Sequence, residues 1–172
     1  MKWIFGYGSL MWNPGFKFEL VLKSTLMGWK RRIIQPSTDH RGTVSQPGRV
    51  ATLVADDSGF CQGLIFGVRD DSFDNVKEYL DKREIDGYEM RGVDVDCKLG
   101  ITRCFTYMTI KNENCFENLS VMRLAQQIIV AEGESGENIE YFRMLETTLR
   151  KFNFIDKHVA QIALELKKLL KK

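Results

Sequence analysis

The chain has 172 residues, of which 44% are apolar and 28% are charged, and its formal net charge at neutral pH is +2. This length is enough for one domain with its own core, and the composition excludes disordered and fibrous proteins. Lys and Arg are spread along the chain, which argues against a nucleic-acid-binding surface, because such a surface carries a basic stripe.

The first two thirds of the chain predict β-strands. β-branched and aromatic residues are concentrated in residues 3–7, 26–35, 49–55 and 60–68. Residues 56–59, Asp-Asp-Ser-Gly, have the composition of a hairpin turn between the last two of these segments. Apolar residues at helical spacing then predict a helix over residues 73–83, with Ser72 as its N-cap. The alternating residues 88–97 and 102–110 predict a second strand pair.

The last third of the chain predicts three helices. Apolar stripes run through Val121, Leu124, Ala125, Ile128 and Ile129, then through Tyr141, Leu145 and Leu149, and then through Val159, Ile162, Ala163, Leu166 and Leu170. Gly133 closes the first helix and Asp156 caps the third. Because the helices follow the strands instead of alternating with them, we predict an α+β fold with an antiparallel or mixed sheet. No repeat or linker divides the chain, so we predict a single domain over residues 1–172.

The apolar stretches and the cysteines predict a cytoplasmic protein without a metal or cofactor. No apolar run approaches the length of a membrane span, and glycines interrupt the first apolar residues before a secretory signal can form. The four cysteines stand singly, without a C-x-x-C pair, and the chain has only two histidines. This spacing does not suit a zinc site, and unpaired thiols suit a reducing compartment. The sequence leaves the oligomeric state open.

Residues 6–9, Gly-Tyr-Gly-Ser, form a glycine turn directly after the first predicted strand. Two glycines let the backbone turn sharply and bring N–H groups close to a ligand, as in an anion nest or an oxyanion hole. The alternative is a tight turn that binds nothing. A nucleotide site is disfavoured, because Met11 stands where a dinucleotide fingerprint has its third glycine and no Gly-Lys-Ser/Thr follows.

Residues 37–42, Ser-Thr-Asp-His-Arg-Gly, form a dense polar segment. Its Asp39 and His40 are either a local hydrogen-bond network or a catalytic dyad, although the G-x-S-x-G elbow of a nucleophilic triad is missing. Arg41, and Arg49 further along, have the guanidinium geometry that binds a substrate carboxylate. The alternative for both arginines is pairing with internal carboxylates or loop carbonyls.

Glu84 stands at the end of the helix predicted over residues 73–83. The negative end of the helix dipole disfavours an ionised carboxylate there, and desolvation would add to this effect and suit the group to proton transfer at neutral pH. Arg83 is adjacent in sequence, but neighbours on a helix do not face each other, so Arg83 need not neutralise Glu84. The alternative is a solvent-exposed glutamate without a catalytic role.

Taken in chain order, these motifs resemble the ChaC family of glutathione-specific γ-glutamylcyclotransferases. The segments that carry the resemblance are residues 5–12, 35–42, 47–50, 79–81, 83–84 and 87–88, and then Gly133, Ser135, Gly136, Asn138, Glu140 and Tyr141. The similarity runs along nearly the whole chain. Two departures concern substrate preference: Pro36 stands where the family usually has glycine, and Ile85 and Asp86 replace its usual lysine and glycine.

The resemblance implies a small mixed β-barrel flanked by helices, with the active site at the mouth of the barrel. It implies that Glu84 is the catalytic acid–base residue and that the enzyme needs no metal or cofactor. It also implies that the γ-glutamyl group is held by Ile4, Phe5, Gly6, Tyr7, Gly8 and Ser9, with Tyr141 as a further pocket residue. Arg41 joins this set as a candidate for binding a substrate carboxylate.

The resemblance further implies that the partner of the protein is a small molecule, glutathione. Its γ-glutamyl group would be cyclised, which releases 5-oxoproline and Cys-Gly. Two alternatives are left open: a cyclotransferase that acts on other γ-glutamyl amino acids or amines, and a non-catalytic module that binds γ-glutamyl groups. The presence of Glu84 argues against the module, since loss of this residue would be its expected mark.

Overall fold

A computed structural model of the protein describes residues 1–85, 87–109, 117 and 119–171. The described residues form two compact units. The first unit lies within Met1–Lys30 and Leu53–Lys111, and the second lies within Arg31–Thr52 and Asn112–Lys172. The single domain over residues 1–172 stays a prediction.

Five strands form a closed β-barrel. They are β1 (Lys2–Gly6), β2 (Leu20–Ser37), β3 (Gly48–Val68), β4 (Tyr88–Cys97) and β5 (Gly100–Thr109), and their order around the barrel is β1-β3-β2-β4-β5. β1 is antiparallel to β3 and parallel to β5, where Ile4 lies opposite Phe105. The α+β class and the small mixed barrel flanked by helices are therefore confirmed. A closed barrel has no exposed sheet edge to pair with another chain.

The hairpin predicted at residues 56–59 is wrong, because β3 continues through these residues without interruption. Their polar side chains form local hydrogen bonds within the strand instead. The backbone N–H and the hydroxyl of Ser58 both donate to Oδ1 of Asp56, at 3.1 and 2.9 Å. The Oδ2 atom of Asp56 pairs with Lys30 of β2 at 2.5 Å. A long neighbouring strand thus offers pairing that outweighs the local preference for a turn.

Helix α1 spans Phe73–Arg83, as predicted. Ser72 precedes it but its side chain does not cap it, because its φ of −105° and ψ of −10° lie in the helical region and not in the extended region that a capping residue adopts. The apolar face of α1 is buried in a cluster that comprises Phe73, Val76 and Leu80 of the helix together with Ile4, Leu10, Val68 and Tyr107. Burying a large apolar side chain contributes about 1.5–3 kcal/mol. This cluster anchors the helix whose last residue precedes Glu84.

The described residues of the second unit form three helices, as predicted. Helices α2 (Val121–Val130), α3 (Asn138–Phe152) and α4 (Lys157–Leu169) pack against one another. The predicted stripes are mostly buried, although Leu170 is 53% exposed because it follows the last residue of α4. Asp156 caps α4 by accepting from the N–H of Val159 at 3.0 Å. Gly133 does not end α2 but lies in a two-stranded hairpin, β6 (Glu132–Gly133) and β7 (Gly136–Glu137).

Cys97 and Cys104 are free thiols. Cys61 and Cys104 are buried, as expected for small apolar side chains, whereas Cys97 is half-buried at the end of β4. Burial raises the pKa of the Cys104 thiol to about 12, so this thiol is neutral and unreactive at physiological pH. Cys115 lies outside the described residues. None of the helices described here has the length and apolar character that a membrane span requires.

His158 is a buried histidine on α4. Among the described residues, neither ring nitrogen has a hydrogen-bond partner. Burial, with a smaller effect of the Arg32 charge, lowers the pKa of His158 from 6.5 to about 4, and the nearby Asp156 opposes this shift only in part. The folded protein therefore holds His158 neutral where the unfolded chain binds a proton.

We expect stability to be lost as the pH falls from about 6.5 towards 4, because protons then bind the unfolded chain first. Each unit of difference between the two pKa values corresponds to about 1.36 kcal/mol, so the free energy of unfolding at pH 5 should fall by about 2 kcal/mol through this residue. Urea denaturation at pH 8 and pH 5 measures the loss in wild type and in His158→Leu. The variant should lack it, while His40→Leu, at an exposed position, should retain it. An equal loss in wild type and His158→Leu would contradict this prediction.

Candidate functional site

Glu84 lies directly after the last residue of α1. Its N–H donates to the carbonyl of Leu80 at 2.8 Å, and its φ of −92° and ψ of 72° take the chain out of the helix. The side chain is 18% exposed, and its Oε1 atom is buried. The carboxylate therefore lies at the negative end of the helix dipole and largely out of solvent, which suits a group that exchanges protons.

Arg83 faces Glu84, contrary to the expectation from helical spacing. The Nε atom of Arg83 lies 3.3 Å from Oε1 of Glu84. The two neighbours meet because Glu84 has left the helical conformation, so that its side chain no longer points away from the preceding residue. The carboxylate thus has a positive charge beside it, in addition to the helix terminus.

The glycine turn joins β1 to a single 3₁₀ turn, Ser9–Met11. A Cβ atom at Gly6 would lie 2.9 Å from the Cβ of Leu10, which is closer than real side chains approach. The chain folds back at once, because the N–H of Met11 donates to the carbonyl of Gly8 at 3.0 Å. Close packing thus explains the glycine at position 6, whether or not the turn binds a ligand.

One guanidinium links the glycine turn to Glu84. In addition to its contact with Glu84, Arg83 donates from Nη2 to the hydroxyl of Ser9 at 3.1 Å. Its Nη1 atom donates to the carbonyls of Asn13 at 2.6 Å and Pro14 at 3.0 Å. Of the predicted site residues in the first unit, Ser9 and Glu84 are therefore brought together through Arg83, a residue to which the sequence analysis assigned no role in the site.

Tyr7 and Tyr107 belong to a second hydrogen-bonded group in the first unit. The hydroxyl of Tyr7 donates to the carbonyl of Tyr107 at 2.8 Å, and the hydroxyl of Tyr107 donates to Asp81 at 2.5 Å. Burial raises the pKa of Tyr107, and the hydrogen bond to Asp81 and the charges of Asp81 and Glu84 raise it further. Tyr107 therefore stays a neutral donor. In the sequence it was only one alternating residue of a predicted strand.

Ile4 and Phe5 are fully buried residues of β1. Both pair with β3 in the barrel, and the carbonyl of Phe5 also accepts from the hydroxyl of Thr106 at 2.9 Å. Their side chains belong to the core of the first unit. A part in holding a substrate stays a prediction for these two residues.

Arg41 belongs to the second unit, where it forms internal contacts. Its Nη1 atom donates to the carbonyl of Glu137 at 3.0 Å and to Glu140 at 2.9 Å, and its side chain is 17% exposed. Pairing with an internal carboxylate and a loop carbonyl is the alternative to substrate binding that the sequence left open for Arg41. Binding of a substrate carboxylate by Arg41 stays a prediction.

Tyr141 is a buried residue of α3. Its hydroxyl accepts from the backbone N–H of Ala51 at 3.1 Å, so it helps to hold β3 within the second unit. This contact is structural in kind. The assignment of Tyr141 to a substrate pocket stays a prediction.

Arg49 is 1% exposed and is bound on every side by residues of the second unit. Its guanidinium donates to Gln127 at 2.6 Å, to the carbonyl of Ile34 at 3.0 Å and to Glu117 at 2.5 Å. The side chain of Asn138 accepts from the N–H of Arg49 at 2.7 Å and donates to its carbonyl at 3.0 Å. The internal network, not substrate binding, therefore accounts for Arg49.

We expect Arg49→Ala to lower the free energy of unfolding by at least about 2 kcal/mol. The substitution removes the hydrogen bonds of a buried guanidinium to Gln127 and to the carbonyl of Ile34, and a hydrogen bond to a charged group contributes about 1.5–3 kcal/mol. Urea denaturation measures the effect, with Arg69→Ala as the control, because Arg69 is 63% exposed and pairs with the nearby, equally exposed Asp71. A rise in KM at unchanged stability would assign Arg49 to substrate binding instead.

Asp39 and His40 take part in a local network. The carbonyls of Asp39 and His40 accept from the N–H groups of Glu134 and Ser135, both at 2.9 Å. His40 Nδ1 also lies 3.2 Å from the hydroxyl of Ser135. These contacts tie the polar segment 37–42 to the β6–β7 hairpin and favour the structural interpretation of the Asp-His pair. The described residues contain no group of three or more His, Cys, Asp or Glu side chains placed to hold a metal.

Comparison with known proteins places the chain in a family. Residues 2–169 match the family model described as ChaC-like protein. The chain is 33% identical to γ-glutamylcyclotransferase 2-3 of Arabidopsis thaliana, covering 98% of this chain and 89% of the relative. It is 32% identical to the glutathione-specific γ-glutamylcyclotransferase of Schizosaccharomyces pombe, covering 99% and 94%. The crystal structure of a yeast γ-glutamylcyclotransferase specific to glutathione superposes with a TM-score of 0.88 at 26% identity, covering 97% of this chain and 96% of that one.

Proposed function

The chain belongs to the ChaC-like family, and from this premise we propose that it degrades glutathione by cyclising the γ-glutamyl group. The names of its relatives from fission yeast and yeast specify this substrate. The single observation that carries the proposal to this chain is the largely buried carboxylate of Glu84, held next to the glycine turn by Arg83. The protein is accordingly an enzyme, a lyase that releases 5-oxoproline.

The proposed reaction is an intramolecular aminolysis. The α-amine of the γ-glutamyl group attacks its own γ-carbonyl, and a five-membered lactam closes as the bond to the cysteine nitrogen breaks. Glu84 takes the proton from the amine and then donates it to the departing nitrogen, so that one carboxylate serves first as base and then as acid. The products are 5-oxoproline and Cys-Gly, and no water is consumed.

The glycine turn is the proposed holder of the γ-glutamyl group. Backbone N–H groups of residues 6–9 would stabilise the oxyanion that forms when the γ-carbonyl is attacked. Holding the γ-glutamyl chain in a folded conformation would bring the amine and the carbonyl together, which supplies rate through proximity. Arg41 and Tyr141 are proposed as further substrate-binding residues. For Arg41 the test is Arg41→Ala, which should raise KM about 10- to 100-fold if a bond of about 1.5–3 kcal/mol to a substrate carboxylate is lost.

The decisive experiment is incubation of the purified protein with glutathione, followed by mass detection of 5-oxoproline and Cys-Gly. We expect both products in equal amounts, with the same rate in the presence of EDTA, because the proposed chemistry needs no metal. γ-Glutamyl amino acids tested in parallel define the substrate range. If glutathione gives no product and another γ-glutamyl compound does, the substrate is that compound and not glutathione. We also propose a cytoplasmic location, supported by the free thiols of Cys97 and Cys104.

A further inference from the structure

We propose that Arg83 is a positioning residue that holds residues 9–15 on α1 and orients the carboxylate of Glu84 with the same guanidinium. The catalytic consequence rests on the proposed function of Glu84. The mechanical part, a clamp between residues 9–15 and the helix, does not depend on it.

Residues 9–15 are held by one face of α1. Tyr79 and Arg83 are four residues apart, so their side chains lie on the same side of the helix. The hydroxyl of Tyr79 covers Gly15, where a Cβ atom would lie only 2.1 Å away and where φ is +73°. Arg83 holds the preceding carbonyls of Asn13 and Pro14. Tyr79 and Arg83, whose side chains are neighbours on this face, thus hold the segment, Tyr79 by close packing and Arg83 by hydrogen bonds.

Each nitrogen of the Arg83 guanidinium contacts an oxygen atom of the protein. Its Nη1 atom donates to the two carbonyls, its Nη2 atom donates to the hydroxyl of Ser9, and its Nε atom lies beside Glu84. A guanidinium has five N–H donors in a rigid planar fork, so contacts in several directions fix its plane. Because this plane is fixed by residues 9–14, the position of its positive charge is fixed as well, and the ion pair at 3.3 Å between Nε and Oε1 holds the Glu84 carboxylate beside it. Arg83 therefore acts on the reaction through Glu84 and not by binding the substrate.

Because of its position, Glu84 depends on Arg83 for the placement of its carboxylate, and this placement affects the proposed reaction. The residue follows the helix, so the regular backbone of α1 no longer directs its side chain. Proton transfer requires the carboxylate to lie within hydrogen-bond reach of the substrate amine, and a small misplacement lowers the rate strongly. A lysine at position 83 would keep the charge but lose the fork, because an ammonium is a point charge on a flexible stem.

The first test is the pH dependence of kcat/KM for glutathione in Arg83→Met, Arg83→Lys and wild type. Arg83→Met should lower kcat/KM about 10- to 100-fold. Its acidic limb should also move to higher pH, because the cation that favours the ionised carboxylate is gone. Arg83→Lys should leave the acidic limb near that of wild type without recovering the rate. Lys82→Met is the matched control, since Lys82 is the preceding cation, 74% exposed and paired with Glu78, and it should behave like wild type.

Either of two results would overturn the proposal: an acidic limb that does not move in Arg83→Met, or a full recovery of rate in Arg83→Lys. Hydrogen exchange tests the clamp without any substrate. The N–H groups of Trp12 and Asn13 donate to the carbonyl of Ser9, and in Arg83→Met they should exchange at least about 10-fold faster while β4 and β5 are unchanged. Unchanged exchange would overturn the clamp. If wild type fails to convert glutathione, the proposed function fails, and the exchange result still decides the clamp.

Discussion

Glu84→Gln is expected to lower kcat for glutathione by a factor of about 10² to 10⁴. The amide keeps the shape of the side chain, but it cannot take up or release a proton at neutral pH, and the proposed mechanism uses this one group twice. KM should change little, because the γ-glutamyl group is proposed to be held mainly by the glycine turn. The measurement is steady-state release of Cys-Gly at several glutathione concentrations.

The stability of Glu84→Gln should stay close to that of wild type. Neutralising the carboxylate removes its ion pair with Arg83, and it also removes a negative charge from the negative end of a helix, so the two effects oppose each other. Glu78→Gln is the matched control on the same helix, since Glu78 is 68% exposed and pairs with Lys82. A folded Glu84→Gln protein with near-normal turnover would remove Glu84 from the mechanism.

Glutathione with an acetylated α-amine is expected to release no detectable Cys-Gly. The acetylated nitrogen is no longer nucleophilic, and in the proposed reaction this nitrogen forms the bond that closes the lactam. The intramolecular attack owes its rate to the proximity of amine and carbonyl, and no external nucleophile replaces it. Mass detection of Cys-Gly after prolonged incubation measures the residual reaction.

S-methylglutathione is the control substrate, because it is modified at a similar distance from the γ-carbonyl but keeps the free amine. It should still yield 5-oxoproline. Acetylation also removes the positive charge of the amine, so binding must be measured separately, as competition by the acetylated compound against glutathione. Release of Cys-Gly from the acetylated compound would mean hydrolysis, with Glu84 activating water in place of the amine.

The local elements of the fold were largely predictable from the sequence. The bounds of α1 were correct because its apolar spacing matches the helical period and its face is buried. The predicted hairpin at residues 56–59 failed for a related reason: turn chemistry in the sequence describes what a segment does alone, and the pairing of Asp56 with Lys30 of β2 is not visible there. The cap predicted at Ser72 failed similarly, because the backbone of Ser72 is already helical and does not place its hydroxyl as a capping residue would.

The environment of Glu84 was predictable only in part. Its place after the last residue of α1 follows from the sequence, and so does its exposure to the negative end of the helix dipole. Its contact with Arg83 does not, because helical spacing separates adjacent residues and only the dihedral angles of Glu84 bring them together. The roles of Arg49 and Asn138 were also not predictable, since these two residues bind each other but lie 89 residues apart in sequence.

By itself, the sequence determined the α+β class, the three C-terminal helices, the family resemblance and Glu84 as the candidate acid–base residue. These conclusions depend on residue types and on periodic spacing, which are properties of a linear chain. The tertiary structure decided that Arg83 joins Ser9 to Glu84, that Arg49 is an internal residue and that β3 does not turn at residues 56–59. The physical reason is that hydrogen bonds and ion pairs act over a few ångströms. Which groups come that close depends on how distant segments pack, and short-range sequence patterns do not contain this information.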